Sequence, residues 1–335
     1  MNNFDTIIIG GGPAGMEAAA RLSKFDKKVL IIEKDSNIGG KLLLWDRLFP
    51  DFASSEELLN QLLENVKTNN VEVAINTDIK NIEKDGNNWI IEDSNNIKHS
   101  ARTVLISTGF DVFDASRKEE YGYGIYPNVI TSVDLEKILS KEVEHAEPKK
   151  VVFIQCVGSR DEKVGNHFCS KNCCICAVKQ AIEVKEMYPE TEVYCFYMDL
   201  RMFGESYEEL YRTAQQEHGI TFIRGRVSEI SPTFDGQVQI KAEDTLLSRP
   251  IRLTTDLVVL MVGMEASEGT AKIGKQLNIN GNYNYIKSKN QHIADNLTAL
   301  DGIFVAGTSK RQMSIPETMK DAATAALEIN NYLNS

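Results

Sequence analysis

Four cysteines, Cys156, Cys169, Cys173 and Cys174, fall within nineteen residues in the spacing Cys-x12-Cys-x3-Cys-Cys. Only two more occur in the chain, Cys176 and Cys195. Clustered thiolates support three chemistries. They hold an iron–sulfur cluster, they hold structural zinc, or a pair of them exchanges with a disulfide. The pair Cys173-x2-Cys176 has the spacing of a redox dithiol. The adjacent pair Cys173-Cys174 fits one tetrahedral ion poorly and a larger cluster more easily. Four buried small apolar side chains would not need this spacing.

The second chemistry-bearing feature is Gly10-Gly11-Gly12-Pro13-Ala14-Gly15, a G-x-G-x-x-G run. Gly10 permits a tight turn, Gly12 lets backbone approach a pyrophosphate, and Gly15 lets helix and strand pack closely. The helix that follows offers unpaired N–H groups and the positive end of its dipole to phosphates. Glu33, at the end of the next apolar run, is placed to accept hydrogen bonds from ribose hydroxyls.

These residues need particular elements to hold them. The β-branched run at 5–9 predicts a buried parallel strand, followed by the glycine loop, a helix over 16–25 and a strand over 28–33. A closing helix is expected at 316–333, and the segments 104–109 and 301–307 that precede it resemble strands of two-domain flavoproteins. Between them a connector at 110–148, with a helix near 132–141, leads to a strand at 151–155. That strand runs directly into Cys156-Val157-Gly158-Ser159. A helix over 175–187 follows, then a strand at 192–197, a helix at 207–218, a strand at 221–224, paired strands over 238–253 and a strand at 256–263. The class is α/β, with two dinucleotide-binding (Rossmann-like) domains, the second inserted in the first. The expected bounds are 1–114 and 268–335 for the first dinucleotide-binding domain, 115–148 for a connector, and 149–267 for the second domain.

Lys34 and the Gly39-Gly40-Lys41 segment after Glu33 resemble the flavin signature of two-domain flavoproteins such as the thioredoxin reductases, which implies FAD rather than NAD. Thr108-Gly109 and Gly307 resemble the strand ends that meet the flavin in those proteins, although their usual Gly-Asp reads Gly307-Thr308 here. The start of the last helix, Ser314, Ile315 and Pro316 with the residues to Thr318, is placed to offer backbone N–H groups to the flavin pyrimidine, as a helix N-terminus does. Lys41 either neighbours the flavin ring or is a solvated helix-start lysine. Glu317 either caps the last helix or contacts the flavin. His167 is a surface-loop histidine or a donor to the cysteine site.

The second domain of those flavoproteins has its own glycine loop, for a nicotinamide. Here no second glycine follows Gly158 at the required spacing, the next being Gly165, and cysteines occupy the turn. The run from Gln155 to Cys174, together with 199–204, 222–227, 256–264 and 314–318, closely resembles the A-type flavoprotein of heterodisulfide reductase. This resemblance implies a 4Fe-4S cluster on Cys156, Cys169, Cys173 and Cys174 beside FAD. It leaves Cys176 and Cys195 as packing residues of a helix and a strand. The long methanogen form carries further iron–sulfur domains, and cysteines after its Gly-Gly segment; here 44–51 carry none. The chain therefore resembles the short form of sulfur-oxidising heterodisulfide-reductase-like complexes, with other subunits as partners and a homodimer allowed. It also resembles flavin subunits of quinone-interacting oxidoreductases. Two rivals are a stand-alone NAD(P)H-dependent disulfide reductase and a zinc-bearing flavin protein.

Composition narrows the field. A net charge of −11 excludes a general nucleic-acid binder, leaving only local basic pairs at Lys149-Lys150 and Arg224/Arg226. No apolar run reaches the roughly 18–20 residues of a membrane span. The start MNNFDTIIIGGG lacks a basic leader and a long apolar stretch, which points to a cytoplasmic protein.

Overall fold

The structure, a computed structural model, describes residues 2–69 and 71–335; residues 1 and 70, both inside the expected first domain, lie outside them. Two compact units are formed. One takes the residues up to 43, 55–111 and 265–335; the other takes 44–54 and 112–264.

The first unit is organised by a parallel sheet in the order Glu72–Ala74, Val29–Ile32, Asn2–Ile9, Lys98–Ile106, Ile303–Val305. All four residues of Val29–Ile32 are buried, as apolar strands covered on both faces must be. Strands Ile79–Asp85 and Asn88–Asp93 extend the sheet as an antiparallel meander on the early half of Lys98–Ile106. The glycine-loop helix, Pro13–Lys24, packs against the closing helix, Ile315–Asn334. It begins three residues earlier than expected, because Pro13 at the first helical position has its φ preset and needs no N–H partner.

In the second unit a five-stranded parallel sheet runs Val129–Thr131, Leu257–Val262, Lys150–Val157, Glu192–Tyr197, Thr221–Arg224. Helices Ser132–Leu139, Cys173–Met187 and Glu205–Gln216 accompany it. An antiparallel sheet of Val227–Pro232, Val238–Asp244 and Arg249–Thr255 is attached in sequence. These units differ from the expected bounds in two places. Part of the expected connector supplies the edge strand Val129–Thr131 and the helix after it, with a Thr131/Asp134 capping box. Residues 44–54, expected in the first domain, belong to the second unit, where Phe49 and Phe52 pack on its core.

A candidate flavin cradle and a cysteine centre

The glycine loop is bound tightly to its strand. Gly10 has φ +105°, and a Cβ there would sit 2.4 Å from the Ser107 carbonyl oxygen. A Cβ on Gly15 would lie 2.0 Å from the Gly10 carbonyl oxygen. Gly12 is different: its nearest neighbour to an added Cβ is the Gly40 Cα, 3.9 Å away. A side chain on either residue would fill the space between the two backbones. Gly12 caps the helix with no side chain, and the first turn carries no acidic residue. The N–H groups of Ala14 and Gly15 therefore have no intrahelical acceptor. Gly15→Ala is expected to cost about 1–3 kcal/mol, as overpacking does, against the usual gain of alanine over glycine in a helix. Thermal melts and flavin content of the purified variant check this; a variant as stable and as yellow as the parent would contradict it.

Glu33 is buried and already holds the loop: its carboxylate accepts the N–H of Gly11 at 2.7 Å and of Asp35 at 2.9 Å. Lys34 is exposed. Lys41 is ion-paired with Asp111 at 3.2 Å, both half exposed. The Thr108 hydroxyl meets that of Thr270 at 2.6 Å, and the Gly109 N–H donates to Ser309 Oγ. The Gly307 N–H donates to Asp321, which shares the buried Lys310 with Asp295. Ser314 and Glu317 form a capping box, so the capping reading of Glu317 describes its contacts. Ile315 and Pro316 open the helix at the surface.

The cysteine centre arises from a broken strand. The register of Lys150–Val157 against Leu257–Val262 shifts between Ile154 and Val157, and Cys156 takes φ +60° there. Such bulges re-aim side chains. Cys173 and Cys174 are the first two residues of the helix Cys173–Met187, which starts two residues earlier than expected. Asn172 supplies no side-chain cap there, so the dipole end faces the sulfurs. Cys156, Cys173 and Cys174 are all buried. Their thiols are electrically joined. Hydrogen bonding from Cys173 brings Cys156 down to about 7, against burial and helped by the charges of Arg160 and Arg201. Hydrogen bonding from Cys173 also lowers Cys174, which takes the backbone N–H of Arg201 as well. Cys173 itself is pushed up by hydrogen bonding toward Cys156 and Cys174 and by burial. Cys169 sits apart in these contacts: its sulfur accepts the Lys171 N–H at 3.3 Å, and it is partly exposed. Among the described residues no three His, Cys, Asp or Glu side chains converge as a ready-made ion site. Cys195 is in the strand Glu192–Tyr197 and is fully buried. His167 is exposed on the loop.

A model of the pyridine nucleotide-disulphide oxidoreductases matches residues 4–326. The chain belongs to that family. Its likeness to solved structures is to thioredoxin reductases at the level of fold. That of Lactococcus lactis has a TM-score of 0.71 at 20% identity, covering 99% of both chains, and that of T. acidophilum 0.70 at 19%, covering 100% of both. Among curated relatives, the A-type iron–sulfur subunit of the CoB–CoM heterodisulfide reductase of Methanocaldococcus jannaschii is 31% identical, over 97% of this chain and 63% of that protein. The A-type subunit of the ferredoxin/F420H2-dependent CoB–CoM heterodisulfide reductase of Methanosarcina acetivorans is 30% identical, over 99% of this chain and 53% of that protein. The chain thus spans about half to two thirds of the length of these two relatives.

Membership makes this pyridine nucleotide-disulphide oxidoreductase a flavoprotein and an oxidoreductase, and the Gly12–Gly40 cradle with its uncapped helix fits the pyrophosphate of FAD. The cysteine centre fits an anionic, sulfur-rich group. Gln155 Nε2, Ser159 Oγ and Arg160 Nη1 are buried donors without an acceptor. As a thiol, Cys174 donates to Gln155 Oε1 at 3.1 Å. As a thiolate it accepts, and a half-turn of the amide brings the unused Nε2 to the sulfur.

Several residues of the site went unnoticed in the sequence. Asp161, almost fully buried, holds the cysteine loop: it takes Lys118 at 2.6 Å, Arg226 at 2.9 Å and the Lys163 N–H. Arg224 pairs with Asp199, so neither of these two arginines belongs to a free basic patch. Lys179 lies buried between Glu136 at 2.7 Å and Glu183 at 3.0 Å. The only sequence signal for these was the charged run Arg160-Asp161-Glu162 following a buried strand. No helix among the described residues is long and apolar enough to cross a membrane.

Proposed function

We propose that the chain is a flavin and iron–sulfur electron-transfer subunit of a heterodisulfide-reductase-like complex, acting in cytoplasmic sulfur-compound oxidation. The observation that carries this reading is the cysteine centre itself. A bulged strand end and a helix start carry three buried thiols joined by hydrogen bonds, beside the unused donors of Gln155 and Ser159, at the turn where a second glycine loop would otherwise hold a nicotinamide. Cys156, Cys173 and Cys174 would hold a 4Fe-4S cluster, with Cys169 completing the set from the loop. In the first unit FAD would be met by Gly10, Gly12, Pro13, Ala14, Gly15, Glu33, Lys34, Gly40, Lys41, Thr108, Gly109, Gly307, Ser314, Ile315 and Pro316. When bound, the flavin supplies two-electron chemistry and the cluster one-electron transfer; the protein sets their surroundings. The names of the relatives support a role as one component of a larger complex.

A dithiol reductase built on Cys173 and Cys176 is the weaker reading. Burial pushes the Cys176 thiol up to about 12, which suits a packing residue and not an attacking thiolate. Metal and acid-labile sulfide analysis of the anaerobically purified chain tests the proposal, together with EPR of the reduced protein. About four iron and four sulfide per chain, besides FAD, are expected. Zinc alone, or flavin without iron, would overturn it.

A further inference from the structure

One side chain beside Cys156, that of Arg160, carries a permanent charge. Arg160 follows the bulge with φ +52°, a backbone conformation that long side chains seldom adopt. Its N–H is held by the Phe168 carbonyl across the cysteine loop. Its guanidinium is largely buried, with Nη2 donating to Asp199 Oδ2 at 2.7 Å. That contact fixes the plane of the guanidinium. Nη1 remains buried and without an acceptor. An arginine keeps its proton at every accessible pH, so this is a fixed positive charge set against the cysteine sulfurs. Asp199, about half exposed, is screened by water and shared with Arg224 from the other side.

We propose that Arg160, oriented by Asp199, is the residue that sets the reduction potential of the centre held by Cys156, Cys173 and Cys174. The inference rests on the iron–sulfur reading given above. Adding one electron to a thiolate-bound cluster adds one negative charge and breaks no bond. The electron comes from an external one-electron reductant, and Arg160 neither gives nor takes a proton. A cation beside a ligand sulfur, as Arg160 is beside Cys156, favours the reduced state; a neutral residue of similar length does not. Arg160 therefore acts through the ligands, as a positioning and tuning residue.

The test is a potentiometric titration of the anaerobic holoprotein with dithionite, read by the EPR of the reduced cluster. In Arg160→Gln, the ratio of reduced to oxidised centre at a fixed potential should fall by about tenfold or more, as expected for loss of a nearby charge. Arg160→Lys should restore most of it. Asp199→Asn should move the ratio in the same direction by a smaller factor, since it frees the guanidinium from its 2.7 Å contact and keeps its charge. If Arg160→Gln fails to keep its iron, Asp199→Asn at full iron content decides alone: a lowered ratio supports the inference and an unchanged or raised one overturns it. Unchanged ratios in iron-loaded variants would overturn this inference and leave the iron–sulfur reading standing. A parent protein with no iron would overturn both.

Discussion

Replacing Cys174 by serine is expected to empty the cysteine centre of iron and leave the flavin in place. Serine has nearly the shape of cysteine, and its hydroxyl can keep the hydrogen bond to Gln155 Oε1 that the thiol makes at 3.1 Å. The side chain is 1% exposed and belongs to the core of the second unit, so the substitution leaves no void. What it removes is the ability to ionise. Hydrogen bonding from Cys173 and the Arg201 backbone N–H holds the Cys174 thiol below its ordinary range, and a thiolate is the ligand. A hydroxyl in the same place stays protonated. Iron content should fall from about four per chain to near zero, while FAD, whose cradle lies in the first unit, stays at one per chain. Cys176→Ala is the control, since its partly buried thiol lies in the helix and is pushed up to about 12. It should keep both groups. Full iron in Cys174→Ser, or iron lost in Cys176→Ala, would assign the wrong ligands to the site.

The glycine loop and its two strands were legible in the sequence because their signals are local. Apolar runs of four or five residues, an acidic residue at a strand end and three glycines at fixed offsets need no knowledge of the rest of the chain. The cysteine spacing was legible for the same reason. Its mode of assembly was not. Cys156 reaches Cys173 through a bulge, and a one-residue slip in a strand leaves no mark on hydropathy. The start of the helix was misplaced by two residues although Asn172 is a cap-type residue; its side chain makes no cap hydrogen bond, and its amide donates to Met264 Sδ instead. Segment 44–54 was misassigned for a different reason. It follows the flavin-type Gly-Gly and has no periodicity of its own. Its place is set by contacts far along the chain: the Asp46 N–H and the Arg47 carbonyl bond to Glu136 and Lys179, and Phe49 and Phe52 pack on the second unit's core.

That bonding gives Lys179 the largest expected effect on stability. Its ammonium is almost fully buried and answers two buried carboxylates, Glu136 and Glu183, as well as the Arg47 carbonyl at 2.9 Å. Gln180 adds a donor to Glu136 at 2.6 Å, and Arg47 pairs at its own surface with Glu186. Lys179→Met keeps the length and apolar stem of the side chain and removes the charge. Two like charges are then left buried without a cation, a loss of about 3–5 kcal/mol. The loss depends on pH in a definite direction. Burial pushes Glu183 from an ordinary 4.5 up to about 7, despite Lys179 and Arg47 and with help from Glu136. Its folded value is above its unfolded one, so the stability linked to its proton is complete below about 4.5 and is lost as the pH rises through about 7. At pH 5 Glu183 is neutral and needs no cation; at pH 8 it is charged. Urea unfolding of Lys179→Met against the parent should therefore show a smaller deficit at pH 5 than at pH 8. Adding Glu183→Gln should recover part of the deficit at pH 8 and little at pH 5. The variant should also be cut faster by protease within 44–54, since the Arg47 carbonyl loses its donor. Equal deficits at the two pH values would mean that the lysine serves only as packing, and that the two carboxylates are answered by something other than its charge.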